Sequence, residues 1–208
     1  DAAIGLTEEA LHLTPSDSPE RPGSLSNLGS YLRDRYARGG SGADLDRAIT
    51  LGEEALHLTP SDSPDRPRRL HNLGNALSDR YARGGSGADL DAAIGLAEEA
   101  LTLTPSDSPD RPRRLHNLGL SLRDRYARGG SGADLDAAIE YYTKALSGYG
   151  DTFPMGRRRT ANNLANLFYA ESRYAEAREN YEIAHAAIQA MRSGTQRHEE
   201  KRRMSDEN

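Results

Sequence analysis

The 208-residue chain contains no cysteine and no tryptophan, and only two phenylalanines. The absence of cysteine excludes disulfides, thiol chemistry and cysteine-ligated metal sites. No apolar run approaches the ~20 residues that span a bilayer, and no signal-peptide pattern opens the sequence. The formal net charge of −5 gives no electrostatic argument for nucleic acid. We therefore expect a cytoplasmic protein that binds neither nucleic acid nor membrane.

What the chain does contain is a repeat. The tetrapeptide Asp-x-Ala-Ile begins at Asp1, Asp46, Asp91 and Asp136, which is a period of 45 residues. Between these points the copies are nearly identical in sequence. A fixed period of this size is typical of stacked repeat arrays, in which each unit buries its apolar face only against its neighbours.

Each unit is predicted to form a helical hairpin. In the second unit an apolar stripe at helical spacing runs from Leu70 to Tyr81, and Gly84-Gly85 ends that helix. A second stripe runs from Leu90 to Leu103, and Asp110 is a candidate N-cap for the helix after it. Helices are therefore expected near residues 1–13, 20–38, 43–59, 65–83, 88–104, 110–128, 133–148, 155–171 and 174–192.

The units divide the chain at regular points. We expect a second-type helix of a truncated repeat, four repeats, and a polar tail or the start of a further helix. Their respective ranges are 1–19, 20–64, 65–109, 110–153, 154–192 and 193–208.

Two kinds of contact follow from the repeat. Small residues are expected at close helix–helix crossings, namely Gly29, Gly74, Gly119 and Ala165. A ladder of arginines is expected to pair with Asp46, Asp91 and Asp136 or with neighbouring carboxylates; its members are Arg35, Arg80 and Arg125.

These spacings resemble the tetratricopeptide repeat (TPR). In the second unit the resemblance rests on Leu70, Leu73-Gly74, Leu77, Ala93, Ala100 and Pro105. The units are longer than the usual 34 residues, and the leading Trp of the family is replaced by Leu. The resemblance implies an all-α, right-handed solenoid of stacked antiparallel hairpins, a TPR-like superhelix. The last hairpin is also similar to kinesin light chain repeats, and the long unit resembles the arrays that precede CHAT domains, which are caspase-like protease modules.

In the TPR family the first helix of each hairpin lines a concave groove that takes peptides or helices. The polar positions opposite the buried stripe of these helices are therefore candidate ligand-groove residues. They are Arg68, His71, Asn72, Asn75, Arg113, His116, Asn117, Arg159, Asn162, Asn166 and Tyr169. Donors outnumber acceptors among them, which favours an acidic or C-terminal peptide, with Tyr169 as the main anchor. The other interpretation is a solvated wall on which asparagines bond neighbouring helices.

Catalytic and metal constellations are not found in the sequence. His71 and His116 lie one unit apart without further ligands at metal spacing. No nucleophile triad, phosphate loop or dinucleotide fingerprint occurs. We expect no enzyme activity, no cofactor and no metal. The favoured function is a non-catalytic protein-interaction scaffold, a sensing or regulatory arm of a larger CHAT-type protein; the alternative is a structural spacer or self-assembling array without a groove ligand.

Both ends of the array are expected to expose apolar side chains and so to favour head-to-tail self-association. The residues concerned are Ile4, Leu6 and Leu11 at one end and Tyr181, Ile183 and Ile188 at the other.

Overall fold

A computed structural model describes residues 2–150 and 153–206, with side chains to residue 193. This part of the chain forms nine helices and no strand. The helices are α1 (Ala2–Leu13), α2 (Arg21–Ala37), α3 (Gly42–His57), α4 (Arg66–Ala82), α5 (Gly87–Thr102), α6 (Arg111–Ala127), α7 (Gly132–Tyr149), α8 (Pro154–Ala170) and α9 (Tyr174–Asp206).

The expected helical hairpins are confirmed, with one difference at the end of the chain. Eight helices begin and end within two residues of the expected positions. Helix α9 was expected to end near residue 192, but it continues through Gly194 to Asp206. A single glycine lowers helix propensity by only about 1 kcal/mol, which is insufficient by itself to end a long helix.

The chain divides into two compact units, Asp1–Ser106 and Asp107–Asn208. In the first unit α2 packs against α3 and α4 against α5, while α1 packs on α2. One apolar cluster joins Ile4 of α1 to Leu28 and Leu32 of α2 and to Ala48 of α3, with Leu11 packed at its edge. The expectation that Ile4 and Leu11 are exposed is therefore wrong, because α2 covers that side of α1; Leu6, on the other side, is 68% exposed as expected.

In the second unit α6 packs against α7 and α8 against α9. The side chain of Tyr142 on α7 is fully buried. Its ring lies 5.5 Å from that of His116 on α6. An aromatic residue thus fills the interior of the third hairpin, at the position that Gly52 and Ala97 occupy in the first and second hairpins.

The helix crossings are as close as the sequence indicates. A Cβ added to Gly29 would lie 3.1 Å from the carbonyl oxygen of Ala48 on the facing helix. The corresponding distance from Gly74 to the carbonyl oxygen of Ala93 is 3.4 Å. Ala165, the equivalent position in the last hairpin, is fully buried. Small residues at these points allow the two helices of a hairpin to approach each other.

The Gly-Gly turn between the helices of each long hairpin is a Schellman cap. After α2 the N–H of Gly40 donates to the carbonyl of Arg35 and that of Gly39 to Tyr36, each at 3.0 Å. Gly39 has φ +96°, a left-handed conformation that glycine adopts without steric cost. In the last hairpin Ser172 takes the same position with φ 59°.

A salt bridge fixes each of these turns. The guanidinium of Arg35 donates to both carboxylate oxygens of Asp44, at 2.9 and 2.5 Å. The pairs Arg80–Asp89 and Arg125–Asp134 repeat the contact, each with a 2.6 Å bond from Nη2. The hydrogen bond from arginine holds the pKa of each aspartate below its usual value, despite partial burial.

The arginine ladder thus pairs mainly with neighbouring carboxylates, two residues before the aspartates named from the sequence. The Schellman cap explains this, because it directs the chain so that the first turn of the next helix faces the arginine. Arg80 keeps a longer contact with Asp46, at 3.9 Å.

The prediction that the side chain of Asp110 caps the helix after it is wrong. Asp110 occupies the N-cap position of α6, but its side chain makes no capping hydrogen bond. Its backbone is helical, with ψ −18°, whereas a capping side chain normally requires an extended backbone. The carboxylate instead accepts a hydrogen bond from Arg113 at 3.0 Å.

Candidate protein-binding surface

The candidate groove residues lie on the first helices of the hairpins, which are α4 in the first unit and α6 and α8 in the second. Each of these helices has Pro at its first turn, where the missing N–H costs nothing. The apolar stripe of each helix packs on its own hairpin. The intervening polar positions face the neighbouring first helix or solvent, and each unit is described separately below.

In the first unit Arg68 is exposed at the start of α4 and reaches in two directions. Its guanidinium donates to Asn27 of α2 at 3.4 Å and to Asp65 at 3.4 Å. Both members of the Arg68–Asp65 pair are more than 40% exposed. Exposed pairs of this kind contribute little stability and exchange readily, so Arg68 can leave Asp65 for a ligand carboxylate.

Asn72 does not offer its amide to a ligand. Its Nδ2 donates to the hydroxyls of Ser26 and Ser30 on α2, at 3.2 and 3.1 Å. This is the helix-bonding role that the alternative interpretation assigned to the asparagines. Asn75 is half-buried and lies 3.2 Å from Nε2 of His71.

Both candidate histidines were expected on an accessible groove wall, but both are buried. His71 is 4% exposed and His116 is 1% exposed. Nδ1 of His116 lies 2.7 Å from the hydroxyl of Thr160 on α8. For His116 the neighbouring first helix α8 covers the position, and the helical periodicity of a single hairpin does not take that neighbour into account.

Positive charge surrounds His116 in the second unit. Burial, and then the charges of Arg159 and Arg123, lower the pKa of His116 to about 3. The imidazole is therefore neutral at physiological pH. Burial also raises the pKa of Tyr149, and Arg159 partly offsets that effect. Arg159 thus lies close to both His116 and Tyr149 while its own side chain is exposed.

The three arginines of this face differ in their partners. Arg113 pairs with Asp110 at 3.0 Å, and both side chains are more than 40% exposed. Arg123 pairs with Asp124 at 2.6 Å. Arg159 forms no salt bridge with any carboxylate in the described part of the chain. The surface around Arg159 therefore has excess positive charge.

The remaining candidates of the second unit are polar positions with partial or full exposure. Asn117 and Asn162 are half-buried, and Asn117 has a partner within the protein. Asn166 is exposed, and its Oδ1 accepts a hydrogen bond from the hydroxyl of Tyr181 at 2.6 Å. Its Nδ2 group remains the donor that this residue can offer.

Tyr169 is 60% exposed and belongs to an aromatic depression that the sequence analysis did not identify. Its ring lies 5.4 Å from that of Tyr174 in an edge-on arrangement. We call this depression the tyrosine cup; it is lined by Tyr169, Tyr174, Ala177, Arg178, Tyr181, Glu182 and His185. A signal was available in the sequence, since Tyr174, Arg178 and His185 replace the Leu, Ile and Leu of the other second helices.

Chemically, this arrangement is suited to binding. Exposed guanidinium and amide donors can hold carboxylates and peptide carbonyls, and the tyrosines can cover apolar side chains. The described residues contain no cluster of three or more His, Cys, Asp or Glu that could hold a metal ion. Nor does any helix among them have the length and apolar character needed to cross a membrane.

Comparisons with known proteins identify the fold. No family model matches the chain, and no curated protein matches it. A putative kinesin light chain with nearly identical TPR-like repeats from Podosopora anserina is similar in structure, with 22% identity, 90% of this chain and 86% of that chain covered, and a TM-score of 0.62. BtubC (BKLC) from P. vanneervenii is 22% identical, with 92% and 74% covered and a TM-score of 0.69. MamA is 19% identical, with 93% and 90% covered and a TM-score of 0.59. The fold is thus an all-α, TPR-like solenoid of helical hairpins.

Proposed function

We propose that these TPR-like hairpins form a non-catalytic protein-interaction scaffold whose first helices bind an acidic peptide segment. The observation that carries the proposal is Arg159. Its guanidinium is exposed, has no salt bridge within the described residues, and lies where positive charge already depresses the pKa of His116. A ligand carboxylate there would gain a charge-assisted hydrogen bond without breaking a salt bridge among the described residues.

The neighbouring arginines support the same ligand class. Arg68 and Arg113 hold exposed aspartates three residues before them on the chain. Exchanging such a partner for a ligand carboxylate costs little, since exposed pairs contribute about 0–1 kcal/mol. Each unit therefore presents at least one exchangeable guanidinium. A single surface that continues through all four hairpins stays a prediction.

Affinity is expected to be modest and to depend on salt. Aromatic anchors dominate most protein interfaces, and Tyr169 is the anchor on these first helices. The buried His71 and His116 and the engaged Asn72 contribute no contacts to a ligand. Salt screens interactions between exposed charges over a Debye length of ~8 Å at physiological ionic strength, and this length shortens as salt is added, so binding should decrease as salt increases.

The test uses an array of immobilised peptides, with acidic, neutral and basic sequences and with free or amidated C-termini. Retention is measured for the parent, for Arg113→Ala/Arg159→Ala in the second unit, and for Arg68→Ala/Asn75→Ala in the first. Arg38→Ala, which removes an exposed arginine at the end of α2, is the matched control. We expect acidic peptides to be retained by the parent and the control and lost with either double variant.

Two outcomes contradict the proposal. Equal retention by parent and double variants would place the binding surface elsewhere. If the parent retains no peptide, the structural spacer is favoured, because an array maintained for length alone needs no groove ligand.

We also propose that the array is a sensing or regulatory arm of a larger protein with a CHAT-type protease domain. The support is the resemblance of the 45-residue unit to arrays that precede such domains. Sequencing the DNA on both sides of the region that encodes residues 1–208 tests this directly. An uninterrupted reading frame without a caspase-like domain contradicts it.

A further inference from the structure

The start of α8 differs from the start of α6 at the position that governs the charge of Arg159. When the buried leucines of the two helices are aligned, Arg159 is the equivalent of Arg113, and Gly156 is the equivalent of Asp110. Asp110 is the carboxylate that pairs with Arg113 at 3.0 Å. In α8 a glycine thus stands where the repeat otherwise has the aspartate partner of this arginine.

A second exchange accompanies the first, in the buried contact between a first helix and the helix before it. In the first unit the buried Arg69 of α4 donates to the hydroxyl of Thr59 at 2.6 Å and to Asp65 at 3.2 Å. The same alignment places Tyr149 at the position of Thr59 and Thr160 at the position of Arg69. Tyr149 and Thr160 are also buried, with 6% and 0% exposure. A tyrosine and a threonine thus replace the threonine and the arginine.

The ring of Tyr149 occupies the space beside Gly156. A Cβ added to Gly156 would lie 2.5 Å from Cε1 and 2.8 Å from Cζ of this ring, so the ring fits there only because the residue is glycine. Gly156, Arg159 and Thr160 have the spacing i, i+3 and i+4, which places them on one face of α8. The ring of Tyr149 therefore packs against the face of α8 that bears Arg159.

The hydroxyl of Tyr149 belongs to a chain of polar groups that crosses the second unit. It lies within hydrogen-bonding reach of Arg159 and of Thr160. The hydroxyl of Thr160 in turn lies 2.7 Å from Nδ1 of His116 on α6. His116 is 1% exposed, whereas Arg159 is exposed. The inner end of the chain is thus fixed in the core, and its outer end reaches the surface.

A phenol holds a guanidinium without neutralising it. An aspartate partner, as at Arg113, orients the arginine but also compensates its charge. Burial raises the pKa of Tyr149, so its hydroxyl carries no charge at physiological pH. Arginine has five N–H donors, and those that do not face Tyr149 remain for a ligand. Arg159 is therefore oriented by a neutral partner and retains its full positive charge.

We propose that Tyr149 is a positioning residue for ligand binding, because its hydroxyl holds the guanidinium of Arg159 in the orientation that receives a ligand carboxylate. This inference rests on the proposed function and names the residue that prepares the site of the second unit. A side chain that is ordered before binding loses less conformational freedom when the ligand arrives, so affinity increases without an additional contact. Gly156 belongs to the same arrangement, since a side chain there would displace the ring.

The first measurement requires no ligand. In protein with isotope-labelled arginine, the heteronuclear NOE of each Nε–H group reports the order of that guanidinium by NMR. The signal that is lost in Arg159→Ala identifies Arg159, and Arg38, exposed at the end of α2, is the internal reference. We expect Arg159 to be more ordered than Arg38 in the parent and as mobile as Arg38 in Tyr149→Phe.

The matched control for this measurement is Tyr126→Phe. It removes another tyrosine hydroxyl of the second unit, which donates to Glu171 at 3.1 Å. This substitution should leave the order of Arg159 unchanged. Circular dichroism verifies that every variant is folded.

The second measurement is the affinity for an acidic peptide that the parent retains in the peptide array, measured by fluorescence anisotropy. Tyr149→Phe keeps the ring beside Gly156 and should weaken binding by roughly 3- to 10-fold, the effect of one hydrogen bond. In the Arg159→Ala background the same substitution should change affinity by less than about 2-fold, because Tyr149 acts through Arg159. A tyrosine with only a structural role would weaken both proteins by the same factor.

Three results would overturn this assignment. They are an Arg159 as mobile as Arg38 in the parent, an Arg159 whose order is unchanged in Tyr149→Phe, and equal weakening by Tyr149→Phe with and without Arg159. A parent that binds no acidic peptide contradicts the proposed function instead, and the NMR comparison still decides whether Tyr149 holds Arg159. The two failures are therefore distinguishable.

Discussion

Substitutions at three glycines provide a graded test of the hairpin packing. Gly95 lies within α5, where an added Cβ would have no atom within 4 Å. Gly29 is in a closer environment, with 3.1 Å to the carbonyl oxygen of Ala48. At Gly74 the added Cβ would lie 3.4 Å from the carbonyl oxygen of Ala93 and 3.6 Å from Cβ of Leu96, so alanine fits and a larger side chain does not.

The free energies follow from these distances. Alanine is favoured over glycine in a helix interior by about 1 kcal/mol, and Gly95→Ala should retain this gain in full. Gly29→Ala should lose most of it, because a backbone oxygen has to move by a few tenths of an ångström. Gly74→Leu adds carbons for which the crossing has no room, and overpacking of this kind costs roughly 1–3 kcal/mol.

The assay is thermal unfolding followed by calorimetry and far-ultraviolet circular dichroism. A change of 1 kcal/mol moves the Tm of a chain of this length by about 2–4 °C. Gly95→Ala should therefore raise Tm by roughly 2–4 °C, and Gly74→Leu should lower it by roughly 2–12 °C. The reasoning is refuted if Gly74→Leu melts like the parent, or if Gly95→Ala destabilises as strongly as Gly74→Leu.

Two further predictions concern single side chains. Ser172→Gly should stabilise the last hairpin by up to about 1 kcal/mol, because φ 59° strains serine and not glycine. A Tm equal to or below that of the parent contradicts this prediction. Ser193→Gly on α9 is the control. His116 has a folded-state pKa of about 3 against an ordinary value of 6.5, so the unfolded state gains a proton first and stability should fall as pH is lowered between these values. The slope should approach 1.4 kcal/mol per pH unit within that window, as expected for one proton. Urea unfolding from pH 7 to pH 4 measures it; His116→Asn should flatten the curve and His57→Asn, at an exposed position, should not.

Much of the fold could be predicted from the local sequence pattern. The 45-residue period, the apolar stripes and the Gly-Gly turns predicted the helical hairpins, and the structure confirms them within two residues for eight helices. The crossings at Gly29 and Gly74 were also predictable, because a glycine recurring on an apolar stripe indicates a close approach. These features depend on residues near one another in the chain.

The candidate site was less predictable, for a geometric reason. A helical phase states which residues share a face, but a first helix in this fold also meets the first helix of the neighbouring hairpin. His116 therefore appeared suited to a groove wall and is instead buried against α8; His71 is also buried. The partner of Arg35 depended in the same way on the direction of the chain after the Schellman cap, which placed Asp44 within reach.

The sequence by itself determined the repeat, the helices and the glycine crossings, since each depends on short-range spacing and on the conformational preferences of single residues. Only the tertiary structure decided which polar positions remain accessible, because accessibility depends on what the neighbouring helices cover. It buried Ile4 and both histidines, engaged Asn72 with two serines, and left Arg159 and the tyrosine cup exposed. The surfaces available to a partner are thus set by packing between hairpins, which a single repeat does not encode.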